Sequence, residues 1–158
     1  MPLLPCKSIL AIGAVVDVAL HSGEERVSAV ELADRLHLPR RHLEPVLQAL
    51  VRKGILVGRR GPRGGYRLAK ARQAISVYDI SEAVKTVETE NPIKELPWLL
   101  GIVVLPSLAE AEQHFESALK RISVEDLVRA ASLQMLASYK SDADSSVGAL
   151  AGLTMATT

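Results

Sequence analysis

The chain has 158 residues, of which 48% are hydrophobic and 3% aromatic. This length suits one domain, or one small domain with an appendage, and the apolar fraction is large enough for a buried core. A core with so few aromatic rings must be built from Leu, Val, Ile and Ala, which favours a mainly helical protein. The N-terminus lacks the pattern of a secretory signal, and the longest apolar run, Trp98 to Pro106, is too short to span a membrane. We therefore expect a cytoplasmic protein.

Positive charge is concentrated in one part of the chain. The formal net charge is only +1, yet residues 39 to 72 carry ten Lys and Arg residues against the single acid Glu44. The remainder of the chain is net acidic. A solvated charged face usually mixes both signs, so this block points to an anionic partner.

Apolar spacing predicts three helices in the first third of the chain. The first runs from Ser8 to Ser22-Gly23, where glycine can take the left-handed cap conformation. The second follows Ser28-Ala29-Val30-Glu31, a capping box in which Ser accepts from the N3 amide and Glu reaches back to the cap amide. The third starts at Pro39 and stops at Lys53-Gly54. Its apolar residues recur at the spacing of one buried face: Leu43, Val46, Leu47, Leu50 and Val51.

The third helix and the residues after it form a recognisable arrangement. Helices two and three are separated by a tight turn and the outer face of the third is basic, as in a helix-turn-helix. Pro45 lies inside the third helix, where it removes a backbone hydrogen bond and can bend the axis. Strand-like runs at 55–60 and 65–69 flank the turn Gly61-Pro62-Arg63-Gly64, which predicts a β-hairpin with a basic tip.

The second half of the chain is predicted to return to helix. A fourth helix is expected from Ser76 or Val77 to Val87, followed by a loop or short irregular segment over residues 88–106. A long helix from Ser107 to about Ile122 has an apolar stripe that needs a cover. Ser123-Val124-Glu125-Asp126 is typical of a cap for a last helix, Leu127 to about Tyr139. The tail from Ser141 has few large side chains and is expected to be disordered.

The stretch from Val27 to Ala69 carries a specific pattern. It contains Ala29-Val30-Glu31-Leu32-Ala33, Leu43-Glu44-Pro45-Val46-Leu47-Gln48-Ala49-Leu50, Gly54-Ile55-Leu56 and Arg60-Gly61-Pro62-Arg63-Gly64-Gly65-Tyr66-Arg67-Leu68-Ala69. Through these residues the chain resembles the Rrf-two family of winged-helix regulators, the IscR/NsrR type, and the likeness extends more loosely from Ser8 to about Leu136. The resemblance implies a bacterial transcription regulator that is a homodimer bound to double-stranded DNA. Its recognition helix would enter the major groove and its wing the minor groove.

The resemblance also implies how the chain is divided. The fold is expected to be mainly α with a small β-hairpin wing, a winged helix-turn-helix followed by a long C-terminal dimerisation helix. Residues 1–87 would bind DNA, 88–106 would connect the parts at the position of an effector, and 107–140 would dimerise, with 141–158 as the disordered tail. The expected dimerisation residues are Leu108, Ala111, Phe115, Ala118, Leu119 and Ile122.

Candidate DNA-binding residues lie on the third helix and the wing. Arg40, Arg41 and His42 stand at a helix N-terminus, where positive charge opposes the helix dipole and therefore favours base reading over stability. Arg63 at the wing tip is the best candidate for the minor groove, whose negative potential attracts arginine. Tyr66 and the turn glycines are expected to be structural. The full predicted set is Ser28, Arg40, Arg41, His42, Gln48, Arg52, Arg59, Arg60, Arg63, Gly64 and Arg67.

No cofactor and no enzyme activity are predicted. Many members of the resembled family hold an iron–sulfur cluster through three cysteines after the fourth helix, whereas residues 88–106 contain none. The remaining alternative is a cluster shared by the two Cys6 residues of a dimer. The four histidines form no i, i+4 pair and have no carboxylate partner at metal-binding spacing, and no nucleophile–base pair or phosphate loop is present.

Two matters stay open at this point. One is a different function, a winged-helix module that docks a protein or shapes DNA without reading an operator sequence. The other is an effector near residues 90 to 105, where Trp98 would line a pocket or, as we expect, plug the dimer interface.

Overall fold

The computed structural model of this chain describes residues 4–23, 25–85, 103 and 105–153. Within these ranges the regular secondary structure is helical except for one small antiparallel sheet. The elements are α1 (Cys6–His21), α2 (Ala29–Arg35), α3 (Arg40–Arg52), β1 (Leu56–Arg59), β2 (Gly65–Leu68), α4 (Val77–Lys85), α5 (Leu105–Arg121) and α6 (Val124–Leu153). The predicted fold class, mainly helical with a hairpin wing, is confirmed.

Helix α2 is short and is held at both ends by local hydrogen bonds. At its start, Ser28 Oγ accepts from the Glu31 amide at 3.2 Å and the Glu31 carboxylate accepts from the Ser28 amide at 2.8 Å. At its end, the amides of His37 and Leu38 donate to the carbonyls of Asp34 and Ala33. This pairing closes the helix with His37 in the left-handed region, at φ 52°. The turn between α2 and α3 is therefore fixed, at the cost of strain in a residue that has a Cβ.

The hairpin is pinned to the start of the helix-turn-helix. Strands β1 and β2 pair from Leu56 with Leu68 to Arg59 with Gly65. Val27 and Tyr66 exchange two backbone hydrogen bonds, at 2.8 and 3.0 Å. A Cβ at Gly65 would lie 2.6 Å from the Val27 carbonyl oxygen, so glycine is required for this approach. The half-buried Tyr66 packs against the core and anchors the wing, as predicted.

Helix α1 lies at the centre of the fold. Ala11, Ala14, Val15 and Val18 are completely buried, and the helix packs against α3, α4 and α6. Small side chains on a central helix allow its neighbours to approach closely. The core also contains Val124 and Val128, so the beginning of α6 is built into the same hydrophobic core as the helix-turn-helix.

Helices α4 and α6 start side by side. The Val77 amide donates to the Ile122 carbonyl at 2.8 Å, and the Val124 amide donates to the Ile75 carbonyl at 2.9 Å. Each start is capped in the same way, because Ser76 bonds to Asp79 and Ser123 bonds to Asp126. These bonds tie the C-terminal helices to the helix-turn-helix.

Several predicted boundaries differ from the structure. Helix α1 begins at Cys6 rather than Ser8. Helix α5 begins at Leu105, because a proline such as Pro106 fits the first turn of a helix. Helix α6 begins directly after its Ser123 cap and continues to Leu153, whereas the prediction ended it near Tyr139 and made the tail disordered. Residues 141–153 contain no proline and several alanines and leucines, so their composition is compatible with a helix. Val87 and Trp98 lie outside the described residues.

Candidate nucleic-acid interface

Helix α3 separates its apolar residues from its polar ones. Leu43, Leu47 and Leu50 are completely buried against the core. The predicted DNA-binding residues of this helix all point away from the core and are exposed: Arg40, Arg41, His42, Gln48 and Arg52. Helix α3 remains one helix across Pro45, and that residue is also exposed. The helix therefore presents a polar, mostly basic face to solvent.

The wing adds a second basic surface beside this face. Arg59, Arg60, Arg63 and Arg67 are all exposed. A groove of about 320 Å³ runs between the wing and α3, bordered by Gln48 and Arg52 on one side and by Arg59 and Arg60 on the other. Predicted residues from both elements thus border the same groove.

The tip of the wing is shaped by glycine. A Cβ at Gly64 would lie 2.4 Å from the Arg59 carbonyl oxygen and 2.8 Å from that of Gly61. The Gly64 amide donates to the Gly61 carbonyl at 2.9 Å. Gly64 therefore has a structural role in the turn that holds Arg63 at the tip.

Ser28 lies on the other side of the wing, in a groove of mixed charge. Arg59, Arg63 and Gly64 line this groove together with Ser28, but so do Glu25 and Glu31. The Glu31 carboxylate is ionised at neutral pH, and hydrogen bonds from the side chain and backbone of Ser28 lower its pKa further. Ser28 is consequently the member of the predicted set in the least positive surroundings.

The basic residues between positions 39 and 72 form no ion pairs within the described chain. The ion pairs of the described chain involve other residues, for example Lys85 with Glu82 and Lys120 with Glu116. The acidic Glu44 is exposed on α3 without an ion pair to these arginines. Their charge is therefore available to an anionic partner.

A charged pair that sequence reasoning missed joins α1 to α2. Arg35 donates three hydrogen bonds to the Asp17 carboxylate, at 2.8, 3.0 and 3.1 Å, and these bonds hold the pKa of Arg35 above its usual value. His21 Nδ1 lies 3.3 Å from the same carboxylate. The available signal was Asp17 itself, the one acid in an apolar helix.

The predicted dimerisation residues of α5 do not share one environment. Leu108, Ala111, Ala118 and Ile122 are exposed, whereas Phe115 is half-buried and Leu119 is buried within the chain. Leu119 is buried because α5 packs on α4. Three further exposed apolar side chains, Leu133, Met135 and Leu136, lie on α6 and were not predicted.

The residues present do not fit a cysteine-ligated iron–sulfur cluster. Cys6, the single cysteine, lies exposed at the first position of α1. No group of three or more His, Cys, Asp or Glu side chains in the described ranges could hold a metal ion. Since the sequence between α4 and α5 contains neither cysteine nor histidine, it supplies no thiolate ligands there.

A helix-turn-helix with a basic outer face, followed by a basic hairpin pinned to it, defines a winged-helix protein. Residues 4–130 match the model of the Rrf2 family, described as an iron-dependent transcriptional regulator. The chain therefore belongs to the Rrf2 family, the Rrf-two family that its wing motif resembles.

Curated relatives agree with this assignment. The HTH-type transcriptional regulator IscR of Cereibacter sphaeroides is 41% identical over 90 residues, which are 56% of this chain and 57% of that protein. The chain thus spans little more than half the length of this relative. The Synechocystis sp. protein slr0846, described as an HTH-type transcriptional regulator, is 33% identical over 132 residues, which are 78% of this chain and 86% of that one.

Solved structures show the same fold. "T. potens IscR" superposes with a TM-score of 0.65 at 27% identity and covers 82% of this chain and 88% of that one. The cysteine regulator CymR of B. subtilis superposes with a TM-score of 0.64 at 22% identity, over 82% of this chain and 98% of that one. In the part of the chain that the structure describes, no helix is long and apolar enough to cross a membrane.

Proposed function

We propose that this protein is a sequence-specific DNA-binding transcription regulator that acts as a homodimer and represses by occupying its operator. The observation that carries the proposal is the groove between α3 and the wing, which arginines from both elements border without acidic partners. The membership of this chain in a family described as transcriptional regulators also supports the proposal. The alternative, a module that docks a protein or shapes DNA without reading sequence, becomes an outcome of the test.

Helix α3 would read base edges and the wing would grip the backbone and minor groove. Arg40, Arg41 and His42 lie at the end of α3 that enters the major groove in helix-turn-helix proteins, where an arginine can bond guanine through two hydrogen bonds. Arg63 would enter the minor groove, with Arg59, Arg60 and Arg67 placed to contact phosphates. No step uses an iron–sulfur cluster.

Exposed apolar residues on α5 and α6 support a homodimer. Leu133 and Leu136 are 63% and 68% exposed, and they are three residues apart on one face of α6. Leu108 of α5 and Ile122, directly after that helix, are also exposed. Such side chains on long helices are stabilised by a second apolar surface, and a second copy of the chain supplies the same residues. A dimer would place two α3 helices on half-sites about 34 Å apart.

Selection of bound sequences from a random DNA pool tests the proposal directly. Purified protein at near-physiological salt should enrich a palindrome with half-sites about one helical turn apart, and should bind it far more tightly than an unrelated duplex. Weak, salt-sensitive binding without an enriched motif would contradict sequence-specific regulation and favour the architectural or docking module.

The role of the wing tip is tested by Arg63→Ala on the enriched sequence. Affinity should fall, and the slope of log K against log salt should become shallower by about one, since one positive charge that displaces counterions from the DNA is lost. Arg129→Ala removes an exposed arginine of α6 and should leave both quantities unchanged. An unchanged slope in Arg63→Ala would remove the wing tip from the interface.

A further inference from the structure

A cavity of about 250 Å³ lies away from the DNA-facing surface, where α1, α4 and α5 meet. Its walls are formed mainly by Val84, Phe115, Leu119 and the ring of Tyr78. These side chains come from α4 and α5, and the beginning of α1 closes the third side. The DNA-binding residues of α3 and the wing do not contribute to it.

Two serine hydroxyls provide the polar groups inside this cavity. Ser8 of α1 is only 3% exposed. Its Oγ accepts a hydrogen bond from Ser81 Oγ of α4 at 3.1 Å. A hydroxyl can donate one hydrogen bond and accept two, so the pair retains capacity for a further partner. The cavity is thus apolar with one hydrogen-bonding point, the usual composition of a small-molecule site.

Charged side chains also line the cavity, and none of them is buried: Lys7, Glu82, Lys85, Glu112 and Glu116. Glu82 and Lys85 form an ion pair at 3.0 Å, and this contact raises the pKa of Lys85. Glu116 lies 3.7 Å from Lys120, whose ammonium is 4.2 Å from the centroid of the Tyr78 ring. Because each of these charged groups is at least partly exposed, the enclosed part of the cavity is apolar apart from the serine hydroxyls, and an ionised ligand held there would lose hydration.

We propose that this cavity binds a small uncharged organic ligand carrying one hydrogen-bonding group, and that the ligand regulates DNA binding. An apolar cavity of about 150 Å³ holds benzene, so by proportion this one accommodates about ten non-hydrogen atoms. A compact aromatic or alicyclic compound would fill it, with its polar group on the Ser8 and Ser81 hydroxyls. This regulatory role rests on the proposed function, whereas the binding itself does not.

Helix α1 provides the physical link to the DNA-binding surface. Ser8 lies in the cavity wall, while Ala11, Val15 and Val18 farther along the same helix are buried in the core, where α1 packs on α3. A ligand that shifts α1 would therefore act on the recognition helix through rigid packed contacts. Ligand and DNA must then change each other's affinity by the same factor.

Ligand binding is tested on the free protein by following amide NMR signals during titration. Three uncharged probes, phenol, indole and 1-naphthol, are compared with benzoate and benzylamine as charged analogues. Saturable shifts around Ser8, Ser81 and Phe115 are expected for at least one neutral probe, with Kd below about 1 mM and at least fivefold weaker binding of the charged analogues. The absence of saturable shifts with all three neutral probes would overturn the site.

Variants locate the binding in this cavity. Ser81→Leu fills the cavity and removes one hydroxyl, and should weaken probe binding at least tenfold. Ser117→Leu makes the same change at an exposed position of α5 and should have no effect. If Ser81→Leu fails to fold, Phe115→Trp fills the cavity from the opposite wall and should also weaken binding. Unchanged affinity in a folded filling variant would overturn the assignment.

The regulatory part is measured with the DNA sequence enriched in the selection. A saturating neutral probe should change its Kd at least threefold, and this DNA should change the probe's Kd by the same factor. A probe that binds without altering DNA affinity would overturn the regulation alone. If the protein selects no DNA sequence, the proposed function fails while the probe titration still decides the cavity.

Discussion

The bonds between Arg35 and Asp17 offer the clearest test of what holds the helix-turn-helix in place. Asp17 is 9% exposed and lies on the central helix α1, while Arg35 ends α2. Arg35→Met keeps an unbranched aliphatic stem but removes the guanidinium, which leaves the Asp17 carboxylate with His21 as its near neighbour. Breaking a buried ion pair costs about 3 to 5 kcal/mol. The Arg35 side chain is 33% exposed, so solvent screening reduces the expected loss to about 2 kcal/mol.

Urea unfolding followed by circular dichroism measures this loss at one fixed protein concentration, because dimerisation would couple stability to concentration. Asp17→Asn and the double variant complete a double-mutant cycle, in which the coupling between the two positions should be at least about 1 kcal/mol. Arg129→Met is the control, because Arg129 is largely exposed and its contact with Glu125 is long, at 4.0 Å. Its free energy of unfolding should stay within about 0.5 kcal/mol of the parent value. A coupling near zero would refute the assigned role of the pair.

Three further outcomes are expected. His37→Gly should raise stability by about 0.5 to 1 kcal/mol in urea unfolding, because glycine relieves the left-handed strain at φ 52°. Capping bonds lower the pKa of Glu31 and Asp126 from ordinary values of 4.5 and 3.8, so their contribution is complete above those values and is lost as pH falls through the folded pKa. The urea midpoint should therefore drop between pH 5 and pH 2. Replacing both Leu133 and Leu136 by Glu should give monomers in sedimentation analysis, since charge would enter the proposed dimer interface.

Each of these outcomes has its own control and its own contradiction. A lower midpoint in His37→Gly would mean that the turn is not strained. A midpoint that rises on acidification would contradict the stabilising role of the capping carboxylates. Gln134→Glu changes an exposed neighbour on α6 and should leave the dimer intact, whereas a dimer that persists in the double Glu variant would place the interface elsewhere.

Much of the winged helix could be predicted because its signals are local. The capping box of Ser28 and Glu31, the periodic leucines of α3 and the glycine-rich turn before Gly65 each specify their structure within a few residues. The exposed position of Arg40 follows from the periodicity of α3, and that of Arg63 from its place in the turn of the hairpin. Their contacts with DNA remain predictions.

Features that depend on distant parts of the chain were not predictable in this way. Asp17 and Arg35 are 18 residues apart, and nothing in either local pattern pairs them. Leu119 belongs to the apolar stripe of α5 whether α4 or a second chain covers it, so its burial could not be assigned from spacing alone. Likewise, Ser8 and Ser81 come together only through the packing of α1 on α4. The extension of α6 to Leu153 lacked a strong apolar period.

The joined starts of α4 and α6 make the intervening chain a closed loop. Backbone bonds between Val77 and Ile122 and between Ile75 and Val124 return the chain to the point where it left the helix-turn-helix. Doubling the length of a flexible loop costs only about 0.6 kcal/mol in closure entropy. Because α4 is itself part of the core, with Ile80 and Val84 buried, changes in chain length are expected to be tolerated after α4 rather than within it.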